Sequence, residues 1–127
     1  MTYKLLETDT IFHGKVFDLK QDLVEHPDGK QSRLDIIQHG GAVAMVPVDA
    51  DGNIWMVRQY RHPAGEMILE IPAGGLEAGE EPKACAQREL REEIGMRAEK
   101  ISLIGEFYLA PGYSTEYMYI YLCEELS

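Results

Sequence analysis

GGLEAGEEPKACAQRELREEIGM, residues Gly74 to Met96, is the stretch on which the reading of this 127-residue chain turns. At its centre, Arg88, Glu89, Leu90, Arg91, Glu92, Glu93, Ile94 and Gly95 set three carboxylates at i, i+3 and i+4 of one helix, where like charges repel. At about 100° per residue, Glu93 stands roughly 60° from Leu90, Glu89 about 40° further round and Glu92 about 60° beyond that. Ala86, Leu90 and Ile94 make an apolar stripe beside them, so the acidic face borders the buried face instead of opposing it. Carboxylates held there need a partner, and a hard divalent cation with oxygen ligands is the natural one. Taken alone, such a run reads more simply as a solvated charged face; its surroundings decide between the two.

Composition limits the alternatives. One domain spanning residues 1–127 is expected, large enough for a packed core, with residues 1–40 supplying amino-terminal strands. A formal net charge of -10 disfavours nucleic acid and anionic membranes as partners, because phosphate contacts need clustered Lys and Arg. Cys85 and Cys123 have no metal-ligand spacing and read as free, partly buried thiols of a reducing compartment. The opening MTYKLLETDT lacks the basic and long apolar regions of a signal peptide, and no run reaches membrane-spanning length, so a cytoplasmic location is the default.

In chain order, Lys15–His26 alternates as a strand, Pro27-Asp28-Gly29 turns, and Lys30–His39 returns as the second strand of a hairpin. The apolar run Ala42–Val48 suggests a strand buried on both faces, and DADGN (Asp49–Asn53) turns it into Ile54–Tyr60, continuing an antiparallel meander. Arg58 and Arg61 close that strand, where two cations in so acidic a chain could meet a phosphate as readily as pair with surface acids. Arg61 is the better candidate, because His62-Pro63-Ala64-Gly65 follows it as a loop. Ile68–Ile71 is a short strand leading into Pro72-Ala73-Gly74-Gly75, whose glycines permit positive φ and close backbone approach to a ligand. Pro82 opens the helix and Gly95 ends it. Ile101–Leu109 and Tyr117–Cys123 are strands separated by the loop APGYSTE (Ala110–Glu116), and the class is α+β.

The central stretch resembles the Nudix hydrolase signature, Gx5Ex7REUxEExGU with U apolar, and meets it at Gly74, Glu80, Arg88, Glu89, Leu90, Glu92, Glu93, Gly95 and Met96. The resemblance implies a Nudix fold: a mixed β-sheet sandwich with the loop and helix packed on it (α/β/α), here without the carboxy-terminal helix. It implies Mg2+ or Mn2+ held by Glu89, Glu92, Glu93 and the Ala73 carbonyl, with Glu89, Glu92 and Arg88 forming the catalytic group. Hydrolysis of a diphosphate suits such a site, since divalent ions offset phosphate charge and lower the pKa of a bound water. Arg88 is expected to orient a carboxylate, with Glu80 its partner. That gives Glu80 a locking role in preference to metal ligation.

Outside the signature, RQYRHP, LEIPAGG and FYLAPGYSTE are similar to segments of ADP-ribose pyrophosphatases, and Pro111 follows Met96 by 15 residues (111 - 96). The resemblance implies that Arg61, with Arg58 beside it, grips the diphosphate and that Pro111 and Gly112 shape a loop over the terminal ribose. Phe17 and Tyr113 are candidates to stack on adenine, with core or loop packing the preferred reading of both. It implies a homodimer in which the strand Lys15–His26 helps build the partner's site. Enzymes of this type usually carry a general base on a loop after the last strand; the sequence stops at Ser127, so either the chain is truncated there or the segment is dispensed with, and in the second case Glu92 would take over or an ion-activated water would act with little help. The expected reaction is ADP-ribose to AMP and ribose 5-phosphate. Hydrolysis of another nucleotide sugar, or nucleotide binding without turnover, are the alternatives.

Overall fold

Residues 2–127 are described by a computed structural model, and they divide into two compact units: residues 2–40 with 108–117, and residues 41–107 with 118–127.

The first unit is an antiparallel sheet of β1 (Lys4–His13), β2 (Phe17–Glu25) and β3 (Gln31–His39) in that order. β2 and β3 pair in unbroken register from Phe17 opposite His39 to Glu25 opposite Gln31. Their turn closes where Gly29 takes φ +91° and the Asp28 carboxylate accepts the Lys30 amide at 3.0 Å. β1 carries its apolar residues in adjacent pairs, Leu5-Leu6 and Ile11-Phe12, so no apolar alternation marks it, and its side chains are exposed along its whole length. The loop after Tyr108 is sewn to β3, Ile37 N donating to Tyr113 O at 2.7 Å and Thr115 N to Ile37 O at 3.0 Å.

In the second unit a four-stranded sheet runs in the order β7 (Ala73–Gly75), β4 (Ala42–Pro47), β9 (Tyr117–Leu126), β8 (Ala98–Tyr108). β4 lies antiparallel to β7 and parallel to β9, so the sheet is mixed. The expected meander therefore stops at β3: the apolar run of β4 has no polar face to leave in water, and it pairs on both edges inside the second sheet. β5 (Val57–Arg61) and β6 (Glu66–Glu70) form a separate hairpin. Ile54 makes only an isolated bridge to Val48, because the Asp49 carboxylate gathers the amides of Asp51 and Asn53 at 3.0 and 2.9 Å into a turn that Gly52 completes at φ +83°.

The single helix among the described residues, α1 (Pro82–Ile94), has Pro82 in its first turn and Gly95 as a left-handed cap at φ +67°. Leu90, Ala86 and Cys85 are fully buried against Val43 and Met45 of β4, Tyr121 and Cys123 of β9 and Ala98 of β8, with Ile94 partly buried beside them. The apolar stripe read from the sequence is thus the helix's core face. Both cysteines are free and buried, and burial pushes their thiols up, Cys85 to about 12 and Cys123 to about 11. No helix among the described residues is long and apolar enough to cross a membrane.

Candidate active site

Because α1 is anchored by its apolar stripe, the acids that flank the stripe come down at the margin between helix and sheet. Glu89 is the extreme case, a charged residue only 8% exposed. Its carboxyl lies against Gly74 of β7: a Cβ built on Gly74 would stand 2.0 Å from Glu89 Cδ and 2.3 Å from Oε1. Close approach, not positive φ, is the reason for this glycine; Gly74 and Gly75 lie in β7, outside the glycines with left-handed backbone. Desolvation raises the pKa of the Glu89 carboxyl, the nearby Arg88 guanidinium opposes that, and repulsion from Glu92 and Glu93 adds to the rise.

Arg88 gathers this group. Its Nε and Nη2 donate to the two Glu80 oxygens at 2.8 and 3.0 Å, Nη1 reaches Glu89 at 2.9 Å and Glu92 at 3.2 Å, and Nη2 also meets the Gly75 carbonyl at 3.2 Å. All five N–H bonds of the guanidinium are directed at oxygen. The Arg88–Glu80 pair expected from the sequence is present, and Glu80 also accepts the Glu77 amide at 3.0 Å, closing the loop before the helix. Hydrogen bonding from Arg88, then from that amide, lowers the Glu80 pKa to about 2. The guanidinium in turn is held well above its ordinary value, first by Glu80.

Glu93 turns toward the hairpin, where Gln59 Nε2 donates to its Oε2 at 3.2 Å. Gln59 was not singled out by sequence reasoning. Its place in RQYR, two residues before Arg61 on a strand, was the available signal, since period-two alternation puts both on one face. The same alternation sends Arg58 to the face of β5 opposite that of Arg61. Arg61 is engaged by Glu70 in a two-pronged ion pair, Nε at 2.6 Å and Nη2 at 2.9 Å, and this raises its pKa while Glu93 adds a smaller rise.

Among the described residues no three acid, histidine or cysteine side chains converge as a ready metal shell, since the acids of α1 are turned to Arg88 and Gln59. The donor set nevertheless suits a hard divalent cation: three carboxylates within one helical turn, one of them seated where a Cβ would otherwise fill the cradle, beside the backbone of Ala73 and Gly74. Pro111 and Gly112 belong to the first unit, in the loop sewn to β3. Phe17 and Tyr113 are exposed, which corrects the reading of either as a packed core residue.

The NUDIX domain family matches residues 38–127 of this chain. An ADP-ribose pyrophosphatase of Bacillus subtilis (strain 168) is 48% identical over 124 residues, covering 98% of this chain and 67% of the relative. A methanol dehydrogenase activator of Bacillus methanolicus is 42% identical over 124 residues, with the same coverage of 98% and 67%. Among solved structures, an ADP compounds hydrolase superposes with a TM-score of 0.88 at 23% identity, covering 100% of this chain and 69% of that one, a likeness of fold.

Proposed function

The chain belongs to the NUDIX family of pyrophosphohydrolases, and on that premise we propose that it cleaves the diphosphate of ADP-ribose to AMP and ribose 5-phosphate with Mg2+ or Mn2+. The observation that carries this reading is the buried Glu89 carboxylate seated on Gly74, with Glu92 and Glu93 on the adjoining face of α1. In this reading Glu89, Glu92, Glu93 and the Ala73 carbonyl hold the cation. Once bound, it would offset charge on the diphosphate oxygens and lower the pKa of a coordinated water.

The chain's own groups supply the rest. Arg88 holds Glu89 and Glu92 at set positions, and Gln59 does the same for Glu93. Glu92, whose side chain is 56% exposed, is the acid best placed to take a proton from the attacking water. Arg61 donates to the diphosphate. The protein acts as a homodimer through its amino-terminal strands, a reading supported by exposed Leu5, Ile11, Phe12 and Phe17 on β1 and β2.

The test is a substrate panel: purified protein with Mg2+ and ADP-ribose, NADH, ADP-glucose, GDP-mannose or nucleoside triphosphates. ADP-ribose is expected to give AMP fastest, and a preference for triphosphates would sink the substrate assignment. Glu93→Gln should lower kcat/KM on the order of a hundredfold or more, the scale set by losses in the coordination of catalytic metals. The alternative reading is nucleotide binding without turnover. Calorimetric binding of ADP-ribose with no product over hours at saturating Mg2+ would establish it.

A further inference from the structure

Arg61 does not pair with the acid nearest to it along the hairpin. Directly across from it in register stands Glu66, while Glu70 lies opposite Val57, four residues back along β5. At about 3.4 Å per residue that is roughly 14 Å of strand. Val57, Gln59 and Arg61 share a face with Glu66, Ile68 and Glu70, so the Arg61 and Glu70 side chains run toward each other along that face past Gln59. They meet in a fork, Nε to Oε2 at 2.6 Å and Nη2 to Oε1 at 2.9 Å. Gln59 meanwhile holds Glu93 of α1 at 3.2 Å. The pull of Glu70 therefore draws the guanidinium back along the strand, to the part of the hairpin that meets the acidic helix. Pairing with Glu66 would hold it out at the hairpin's turn.

We propose that Glu70 is a positioning residue for substrate binding: it fixes the plane and reach of the Arg61 guanidinium so that its unused N–H edge is presented to a diphosphate. Arginine carries five N–H donors in a rigid fork. Glu70 takes one from Nε and one from Nη2, leaving both on Nη1 and one on Nη2 for phosphate oxygens. A guanidinium fixed in this way binds with less loss of freedom than a mobile one. The inference rests on the proposed role of Arg61 and adds the residue that aims it.

Steady-state kinetics on ADP-ribose with Mg2+ test this. Glu70→Gln keeps the size but sets an amide N–H against the guanidinium; KM should rise about tenfold with kcat within about twofold, as expected where binding is lost equally from ground and transition states. Glu70→Asp keeps the charge with a shorter reach and should raise KM less. In an Arg61→Ala background, Glu70→Gln should change nothing further, an outcome that general damage to the hairpin would not produce. Glu66→Gln should leave KM near wild type. A lowered KM in Glu70→Gln would show that the carboxylate competes with substrate, and would overturn the proposal. So would an unchanged KM in Glu70→Gln when Arg61→Ala raises it. If Arg61→Ala itself leaves KM unchanged while Glu93→Gln abolishes turnover, the Arg61 assignment falls and takes this inference with it, and the hydrolase reading stands.

Discussion

Gly74 is where the absence of a side chain has most to do with the site. A methyl group there would overlap the Glu89 carboxyl at 2.0 Å, against a charged group that is itself buried and tied to Arg88 at 2.9 Å. Gly74→Ala is therefore expected to expel Glu89 from its seat, costing about 1–3 kcal/mol in stability as overpacking does. Mn2+ affinity and turnover should fall together, with urea denaturation and calorimetric titration of Mn2+ as the measurements. Loss of stability with Mn2+ affinity intact would separate Glu89 from the cation. The residue types were legible in the sequence, because spacing on a helix fixes which acids are neighbours. The hydrogen-bond partners were legible only in part. Arg88 and Glu80 are eight residues apart and belong to one motif, whereas Gln59 and Glu93 are 34 apart and are brought together by folding alone.

At the scale of the element, α1 is held by contacts of two kinds. Leu90, Ala86 and Cys85 bury one side, and the Gln87 amide clips the helix to the start of β8 by exchanging hydrogen bonds with the Ala98 backbone at 2.8 and 3.0 Å. The loop before it is held by Arg88 and Glu80, which makes this part of the fold sensitive to acid. The Glu80 pKa is lower in the folded protein, about 2, than its ordinary 4.5. Its contribution is thus complete above about 4.5 and is lost as pH falls toward 2. Glu89 works in the opposite sense: its raised folded pKa means that burying its charge opposes folding at neutral pH, and protonation relieves that. Urea midpoints taken between pH 5 and pH 2, in wild type and Glu80→Gln, should show a steeper acid loss in wild type. Parallel curves would remove Glu80 from the account of stability.

At the scale of the whole molecule, the exposed apolar side chains of the first unit, Leu5, Ile11, Phe12 and Phe17 among them, are what a partner chain would cover. Sedimentation equilibrium is expected to give twice the 14.3 kDa chain mass, and Phe12→Lys should shift the population toward monomer. A wild-type protein monomeric at micromolar concentration would contradict the dimer.

The sequence by itself determined which acids stand together, because the acids of α1, their apolar stripe, the Pro82 start and the Gly95 stop are local consequences of helical period and backbone stereochemistry. Tertiary structure alone decided that β4 leaves the meander to lie between β7 and β9 and that Glu70, not Glu66, holds Arg61. Strand pairing is a long-range choice, set by which faces can be buried together, and period-two alternation within a strand does not say which neighbour it will meet. The stretch Gly74–Met96 was sufficient to find the acids. What aims them, from Gly74 beneath Glu89 to Gln59 beside Glu93, came from the packing of sheet and hairpin around the helix.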